Sequence, residues 1–257
     1  MSRQSGRRIF DYREFSGWAR FPRVLAPLVE PERDFRVLDM GGGANPMLAP
    51  EVAARITYAL LDIDAAELAK APPVYGQRFH ADATIGVEDF VAIVGRDAYD
   101  LVYSHMFIEH VRDPGAIHRN IFAALRPGGR CAHAYPIAHN IPLALNALLP
   151  DALSRRIVQI AQPERDLDGN LGKFPAFYRA CYPPSRRATR FFESFGYEVE
   201  THHGYAGHAY YRRIPPLDAL ERVARRIAVV AQLPWVTFGL VILRKPAGPG
   251  PGRRKVR

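Results

Sequence analysis

Cysteine is nearly absent. Cys131 and Cys181 are the only two in 257 residues, too few for a disulfide framework or a zinc cluster, which suits a reducing cytoplasm. No metal is expected, and a cytoplasmic location is. Lysine is almost as scarce, confined to positions 70, 173, 245 and 255, so the net charge of +9 is carried by arginine. That charge favours anionic partners without choosing among them. Long hydrophobic runs are missing too. Residues Ile227 to Leu243 are broken by Gln232, Pro234 and Gly239 and fall short of the roughly 20 residues of a membrane span. They read as a helix end, a Pro turn and a strand from Trp235 to Leu243. The basic start, Met1 to Arg8, has no apolar stretch behind it, so a secretory signal is not expected. There is no internal repeat, and low complexity is limited to the Pro-Gly and basic tail, 249–257.

What is present has an alternating rhythm. Short apolar runs at Phe35–Met40, Ile56–Asp62, Gln77–Ala81, Tyr99–Ser104 and Gly129–Tyr135 read as strands. Helical patterns at Met47–Ala54, Ala65–Lys70, Val87–Val94 and Pro114–Leu125 lie between them, as in βα units with a parallel sheet. The last has Asp113 as N-cap and Pro114 in its first turn. From about residue 136 to 184 the rhythm changes. Two helix-like pieces, Pro142–Leu149 and Asp151–Ala161, and an aromatic-rich loop suggest an insertion over the sheet. A helix at Ser185–Phe195, a strand at Tyr197–His202, a helix near Leu217–Gln232 and the final strand complete about seven strands. At the N-terminus Tyr12, Phe15, Trp18 and Phe21 recur at helical spacing, so residues 1–34 are expected to form a helical cap.

The strongest local signal is Val37-Leu38-Asp39-Met40-Gly41-Gly42-Gly43-Ala44-Asn45-Pro46. An apolar strand ends in an acid and runs into glycines, which let the chain turn sharply and let a ligand approach the backbone. In an open α/β sheet that turn lies at the ligand-binding edge. Nineteen residues after Gly43, a second strand ends in Asp62, where a carboxylate can accept both ribose hydroxyl protons of an adenosine. Dinucleotide sites place a pyrophosphate on a G-x-G-x-x-G turn. Here Pro46 replaces the third glycine, and Asp39 sets negative charge beside the loop. That charge suits a cation, so S-adenosylmethionine, with its ammonium and sulfonium, is favoured over a nicotinamide dinucleotide. A third carboxylate, Asp82, follows the third strand, where it can accept the adenine amino proton.

Further blocks follow: Asp100-Leu101-Val102, then Glu109-His110-Val111-Arg112-Asp113-Pro114, then Leu125-Arg126-Pro127-Gly128-Gly129. With them, residues 35–135 closely resemble the class I S-adenosylmethionine-dependent methyltransferases of the small-molecule kind, the type 11-like group. The resemblance implies a Rossmann-like, seven-stranded, mostly parallel sheet with helices on both faces, plus a helical insertion after strand 5. The domain plan expected is a cap at 1–34, a cofactor core at 35–135, a substrate-side insertion at 136–184, the rest of the core at 185–245 and a basic tail at 246–257. By resemblance, Gly41 and Gly43 would face the cofactor's amino-acid part and Asp62 the ribose. Ile63 would pack near the adenine, Asp82 and Ala83 would meet its edge, and His105 would lie beside the cofactor. Asn45-Pro46 departs from the pattern, where many relatives have another glycine.

Methyl transfer to a hydroxyl gains from a base, and histidine suits neutral pH. His139 follows the fifth strand at the start of the insertion. His105 and His110 follow strand four, and for His110 the competing reading is an anchor for the loop. His202, His203 and His208 cluster after strand six, where packing explains at least two. Glu109 reads as a loop anchor. The stretch Lys173 to Tyr182 mixes cations and aromatics, and would either line a pocket for an anionic or glycosylated acceptor or cap the sheet edge. The expected activity is methyl transfer to a small molecule, a hydroxyl of a biosynthetic metabolite or glycan precursor. A nucleic-acid methyltransferase is the alternative suggested by charge, but Ser104-His105-Met106-Phe107 stands where amino-directed enzymes carry Asn/Asp-Pro-Pro-aromatic. A cofactor-binding protein or cyclase without methyl transfer is the third reading. The acceptor and the oligomeric state are not legible.

Overall fold

The computed structural model describes residues 7–15, 17–137, 175–207, 212–231, 233 and 235–248. In chain order the elements are strand β1 (Arg7–Glu14), helix α1 (Gly17–Leu25), β2 (Arg36–Met40), α2 (Pro50–Ala53), β3 (Thr57–Asp62), α3 (Ala65–Lys70), β4 (Gln77–His80), α4 (Val87–Val94), β5 (Tyr99–His105), α5 (Pro114–Ala124), β6 (Leu125–Pro136), α6 (Arg186–Glu193), β7 (Glu198–Gly207), α7 (Pro215–Val230) and β8 (Phe238–Arg244). One sheet joins eight strands in the order β1-β7-β8-β6-β5-β2-β3-β4. All neighbours run parallel except β8, which is antiparallel to both β6 and β7.

The central strands are buried on both sides, and alternation sorts their residues between two cores. Leu38, Met40, Ala59, Leu61, Val102 and Tyr135 face α4, α5 and α6, packing with Phe90, Ile117, Ile121 and Phe192. Val37, Tyr58, Leu60, Leu101 and Tyr103 face the other way, against Phe21, Leu25, Met47, Ala53 and Leu68. Helix starts follow from local chemistry. Asp64 Oδ1 accepts from Ala66 N and Glu67 N ahead of α3, Asp113 Oδ1 from Ala116 N ahead of α5, and Ser185 Oγ from Ala188 N ahead of α6. Each satisfies an amide with no partner inside its helix.

Three expectations change. The sheet has eight strands, not seven, because the N-terminal segment expected as a helix begins with β1, which pairs in parallel with β7 from Arg7↔Thr201 to Glu14↔Gly207. Residues 7–14 carry five charges in eight positions, suited to an edge strand that must not pair further. The helix is confined to Gly17–Leu25, where Phe21 and Leu25 are fully buried. Strand β6 begins at Leu125 rather than Gly129. Pro127-Gly128-Gly129 is a bulge inside it, across which the pairing with β5 jumps from Tyr99↔Leu125 to Leu101↔Arg130. The helical pieces expected at Pro142–Leu149 and Asp151–Ala161, and the residues 138–174 generally, lie outside the described residues.

At the amino-terminal edge of the sheet, away from the glycine turn, Asp100 acts as a clasp. Its carboxylate accepts from Arg33 Nη1 at 2.8 Å, from Arg36 N at 2.8 Å and from Arg126 Nη1 at 3.0 Å. The first turn of β5 is thereby tied to the approach to β2 and the start of β6.

Candidate functional site

A cleft of about 530 Å³ opens at the carboxyl edge of the central strands, within the usual size of a small-molecule site. Four successive strand ends build it: the turn after β2, the residues after β3, those after β4, and the stretch from His105 to Arg112 after β5. Asp39, Gly41, Gly43, Asp62, Ile63, Asp82, Ala83, His105 and His110 all line it. His139 and His208 lie outside the described residues.

The turn after β2 takes its shape from glycine. Gly41 has φ +71° and Gly43 φ +41°. A Cβ on Gly41 would stand 2.3 Å from Phe107 Cδ2, so the aromatic ring can close over this turn only because position 41 has no side chain. Phe107 gets there through Met106, whose φ of +50° is uncommon for a non-glycine residue. The Met106 amide is pinned to Ala134 O at 2.9 Å. Backbone strain is thus held where the chain leaves β5 to enter the site.

Asp39 sits under the turn, 1% exposed. Its Oδ2 accepts from Tyr58 Oη at 2.8 Å and from Tyr103 Oη at 2.7 Å, and the two phenols also touch each other. Burial is the main influence on its acidity and pushes the carboxyl up to about 7, against the lowering effect of both tyrosines. Asp62 is likewise raised, mainly by burial. Its Oδ1 accepts from Asp64 N at 2.9 Å, and its Oδ2 lies beside Gly43. The next residue, Ile63, is 60% exposed, an apolar side chain presented at the cleft rim. Asp82 Oδ1 accepts from Thr84 N and Oγ1. The loop that follows is held from below by Asn120 of α5, which is fully buried and donates from Nδ2 to Ala83 O at 2.9 Å and Ile85 O at 2.8 Å.

The histidines separate by environment. His105 stacks on Phe21, with ring centroids 5.6 Å apart, and burial lowers its pKa to about 4, so it is neutral and weakly basic near pH 7. His110 is at the rim, its Nδ1 3.2 Å from Pro175 O. His202 is fully buried and meets Tyr135 Oη through Nε2 at 3.0 Å. His203 stacks on Tyr205 with centroids 4.1 Å apart. These two are packing residues.

Several cleft residues escaped the sequence reading. Met106, Phe107, Thr84 and Arg112 line it beside the recognised blocks. Pro175 and Phe177, from the aromatic stretch expected either to line a pocket or to cap the sheet edge, reach it from beyond the insertion. The segment carrying the last two is fastened by backbone: Phe177 N and Tyr178 N both donate to Glu109 O, at 2.7 and 3.1 Å. Arg112 lies 5.0 Å over the Phe177 ring. Both readings for the aromatic stretch apply to part of it: Pro175 and Phe177 line the cleft, while Ala180 and Cys181, with Tyr178 and Tyr182, pack on the core. The Glu109 side chain is 4% exposed and burial raises its carboxyl to about 8, so near neutrality it is largely an uncharged anchor.

A family model described as a methyltransferase domain matches residues 10–202. A ubiquinone biosynthesis O-methyltransferase of Parvibaculum lavamentivorans is 34% identical over 107 residues, 40% of this chain and 41% of that enzyme. The matched stretch therefore spans less than half of that enzyme's length. Among solved structures, a S-adenosylmethionine-dependent methyltransferase of Mesorhizobium loti aligns at 17% identity over 89% of this chain and 98% of the other, with a TM-score of 0.51. The [4+2]-cyclase SpnF aligns at 16% identity over 93% and 88%, with a TM-score of 0.54. Phosphoethanolamine N-methyltransferase 2 of Haemonchus contortus, in complex with S-adenosyl-L-methionine, aligns at 14% identity over 89% and 53%, with a TM-score of 0.52. Likeness at these identities speaks for the fold alone.

The Asn120 clamp yields a direct prediction. Replacing Asn120 with Ala strands the buried Ala83 carbonyl and the partly buried Ile85 carbonyl and should cost about 1–3 kcal/mol in urea unfolding. Amides 83–85 should exchange hydrogen faster. Unchanged stability and exchange would show that the loop holds itself.

Proposed function

This chain belongs to the methyltransferase-domain family, and from that premise we propose that it transfers a methyl group from S-adenosylmethionine to a hydroxyl of a small organic acceptor. One observation carries the reading: three carboxylates, Asp39, Asp62 and Asp82, converge on a single cleft from the ends of three neighbouring parallel strands. A pyrophosphate would be repelled there, while an adenosine carrying a cationic amino acid fits. In this reading the Oδ2 of Asp62, beside the glycine turn, accepts from the ribose hydroxyls, and the exposed Ile63 offers apolar surface to a flat base. Asp82 and Ala83 can meet the edge of that base, and the glycine turn leaves room for the amino-acid part near Asp39. When bound, S-adenosylmethionine supplies an activated methyl on a sulfonium for in-line displacement.

The protein's part is then to orient the acceptor and move a proton. Among the described histidines His110 suits this better than His105, whose basicity burial has removed. With Nδ1–H donated to Pro175 O, the tautomer of His110 leaves its lone pair on Nε2. The bond that anchors the loop also prepares the base. A hydroxyl acceptor is supported by the likeness to the O-methyltransferase of Parvibaculum lavamentivorans, and a small one by the size of the cleft.

The purified chain, given methyl-labelled S-adenosylmethionine and a panel of phenolic, sugar and other hydroxylated metabolites, should yield labelled product. Tight cofactor binding with no labelled product from any acceptor would favour the non-transferring reading. Asp62→Ala should weaken cofactor binding severely by calorimetry, and unchanged affinity would remove the ribose assignment. His110→Ala should lower kcat at least tenfold, as expected for loss of general-base catalysis, with cofactor affinity preserved. Wild-type turnover would eliminate it as the base.

Acidity gives a separate test. A proton on Asp39, with its pKa near 7, must leave before the carboxylate can favour a cation. Cofactor affinity should therefore rise as pH goes from 6 to 8, by at most about tenfold per pH unit. Asp39→Asn should flatten that rise, and an equally steep profile in the variant would place its origin elsewhere.

A further inference from the structure

Helix α7 is amphipathic in the wrong sense for a helix packed on a core. Leu220, Val223, Ile227 and Val230 recur three, four and three residues apart and form one stripe, and their exposures are 66%, 52%, 54% and 85%. The opposite side, turned toward the protein, carries Asp218, Glu221 and Arg225, whose side chains are only 19%, 12% and 21% exposed. Ala228 on that side is 1% exposed. The inward charges are paired along the helix, Arg225 Nε with Glu221 Oε1 at 2.9 Å and Arg222 with Asp218. A surface helix ordinarily buries its apolar stripe. Here the stripe faces out, and Trp235, 49% exposed, follows the helix.

Charge indicates what covers it. Residues 212–231 hold five arginines against two acids, and Arg213, Arg222 and Arg226 are exposed. A second copy of this basic surface would be repelled. An apolar stripe flanked by arginines, followed in the chain by an exposed tryptophan, has the make-up of a helix lying in the headgroup region of a bilayer. Topology adds the direction. Because β8 is antiparallel to β6 and β7, β7 runs with the central strands. Its carboxyl end, where the connection containing α7 begins, is on the same edge as the cleft.

We propose that α7 and Trp235 form a docking surface for anionic phospholipid bilayers, seating the cleft-bearing edge of the sheet at the membrane. The docking is peripheral, since among the described residues no helix is long and apolar enough to cross a membrane. It stands independently of the methyl acceptor.

The test is co-sedimentation of the full chain with vesicles of phosphatidylcholine, with and without phosphatidylglycerol. Binding should be about tenfold tighter, or more, on the anionic vesicles, and Trp235 emission should shift to the blue in a Trp18→Phe background. The double variant L220D/I227D should lose vesicle affinity by about tenfold or more, while its S-adenosylmethionine affinity, a control for folding, stays unchanged. Failure of the wild-type chain to bind anionic vesicles overturns the proposal, as does undiminished binding by a folded double variant. A concentration-dependent dimer in light scattering, abolished by L220D/I227D and unaccompanied by vesicle binding, would assign the stripe to a second copy and overturn it too.

Discussion

The site rests on one buried carboxylate. Asp39 ends the central strand β2, and its neighbours on either side, β3 and β5, each send a tyrosine to it, Tyr58 and Tyr103. Parallel pairing puts Asp39 opposite Leu60 and Tyr103, and the two-residue period turns all three polar side chains to the same face. Withdrawing a carboxylate from water is costly unless hydrogen bonds compensate, and here two phenols do so. Each phenol is in turn driven well above its ordinary pKa by burial and stays a donor. The Tyr103 hydroxyl also accepts from Met47 N at 3.2 Å, which carries the network from the strands into the chain beyond the glycine turn. A network of this kind fixes geometry because a half-satisfied arrangement is penalised.

From that node the cleft is assembled by short connections. Gly41 N donates to Leu61 O at 2.7 Å and Ala81 N to Asp62 O at 3.1 Å, so the turn after β2 is joined to β3 and the turn after β3 to the residues beyond β4. Three carboxylates are therefore held by backbone at successive strand ends, while the loops between them need little order of their own. Asn120 from α5 below and Phe107 from above complete the enclosure. Rigidity is concentrated where charge must be placed.

Legibility in the sequence followed locality. Helices α3 and α4 have the boundaries read from their patterns, because Asp64 supplies a cap and Gly95, at φ +101°, ends the second. Asp39 and Asp62 were legible for the same reason, each closing an apolar run, and Asp82 by its place just after the next strand. The N-terminal strand was not. The aromatic spacing of Tyr12, Phe15, Trp18 and Phe21 fits a helix, and only the distant partner β7 decides that Arg7–Glu14 is extended. The two tyrosines that serve Asp39 looked like ordinary strand residues, since nothing short of the strand order brings positions 58 and 103 to one carboxylate. The bulge at Pro127-Gly128-Gly129 hides the start of β6, which is legible in the sequence only from Gly129. Its pairing with β8, Gly128 N to Lys245 O and Lys245 N to Gly129 O, joins residues over a hundred positions apart.

The two sides of the cleft accordingly differ in kind. The side assigned to the cofactor is drawn from residues 39–84, one stretch of sequence that repeats a device, an acid at or just past a strand's carboxyl end. The opposite side is drawn from residues 105–112 together with Pro175 and Phe177, which approach from beyond the insertion and are tied down by the carbonyl of Glu109. That carbonyl serves two amides through its two lone pairs, while the Glu109 side chain is folded inward, where burial raises its acid above the ordinary carboxylate range. One side of the cleft is thus built by a local motif and the other by tertiary packing of separate segments. A contiguous motif can recur unchanged while separately packed segments vary, so the second side of such a cleft is free to differ among chains that keep the first.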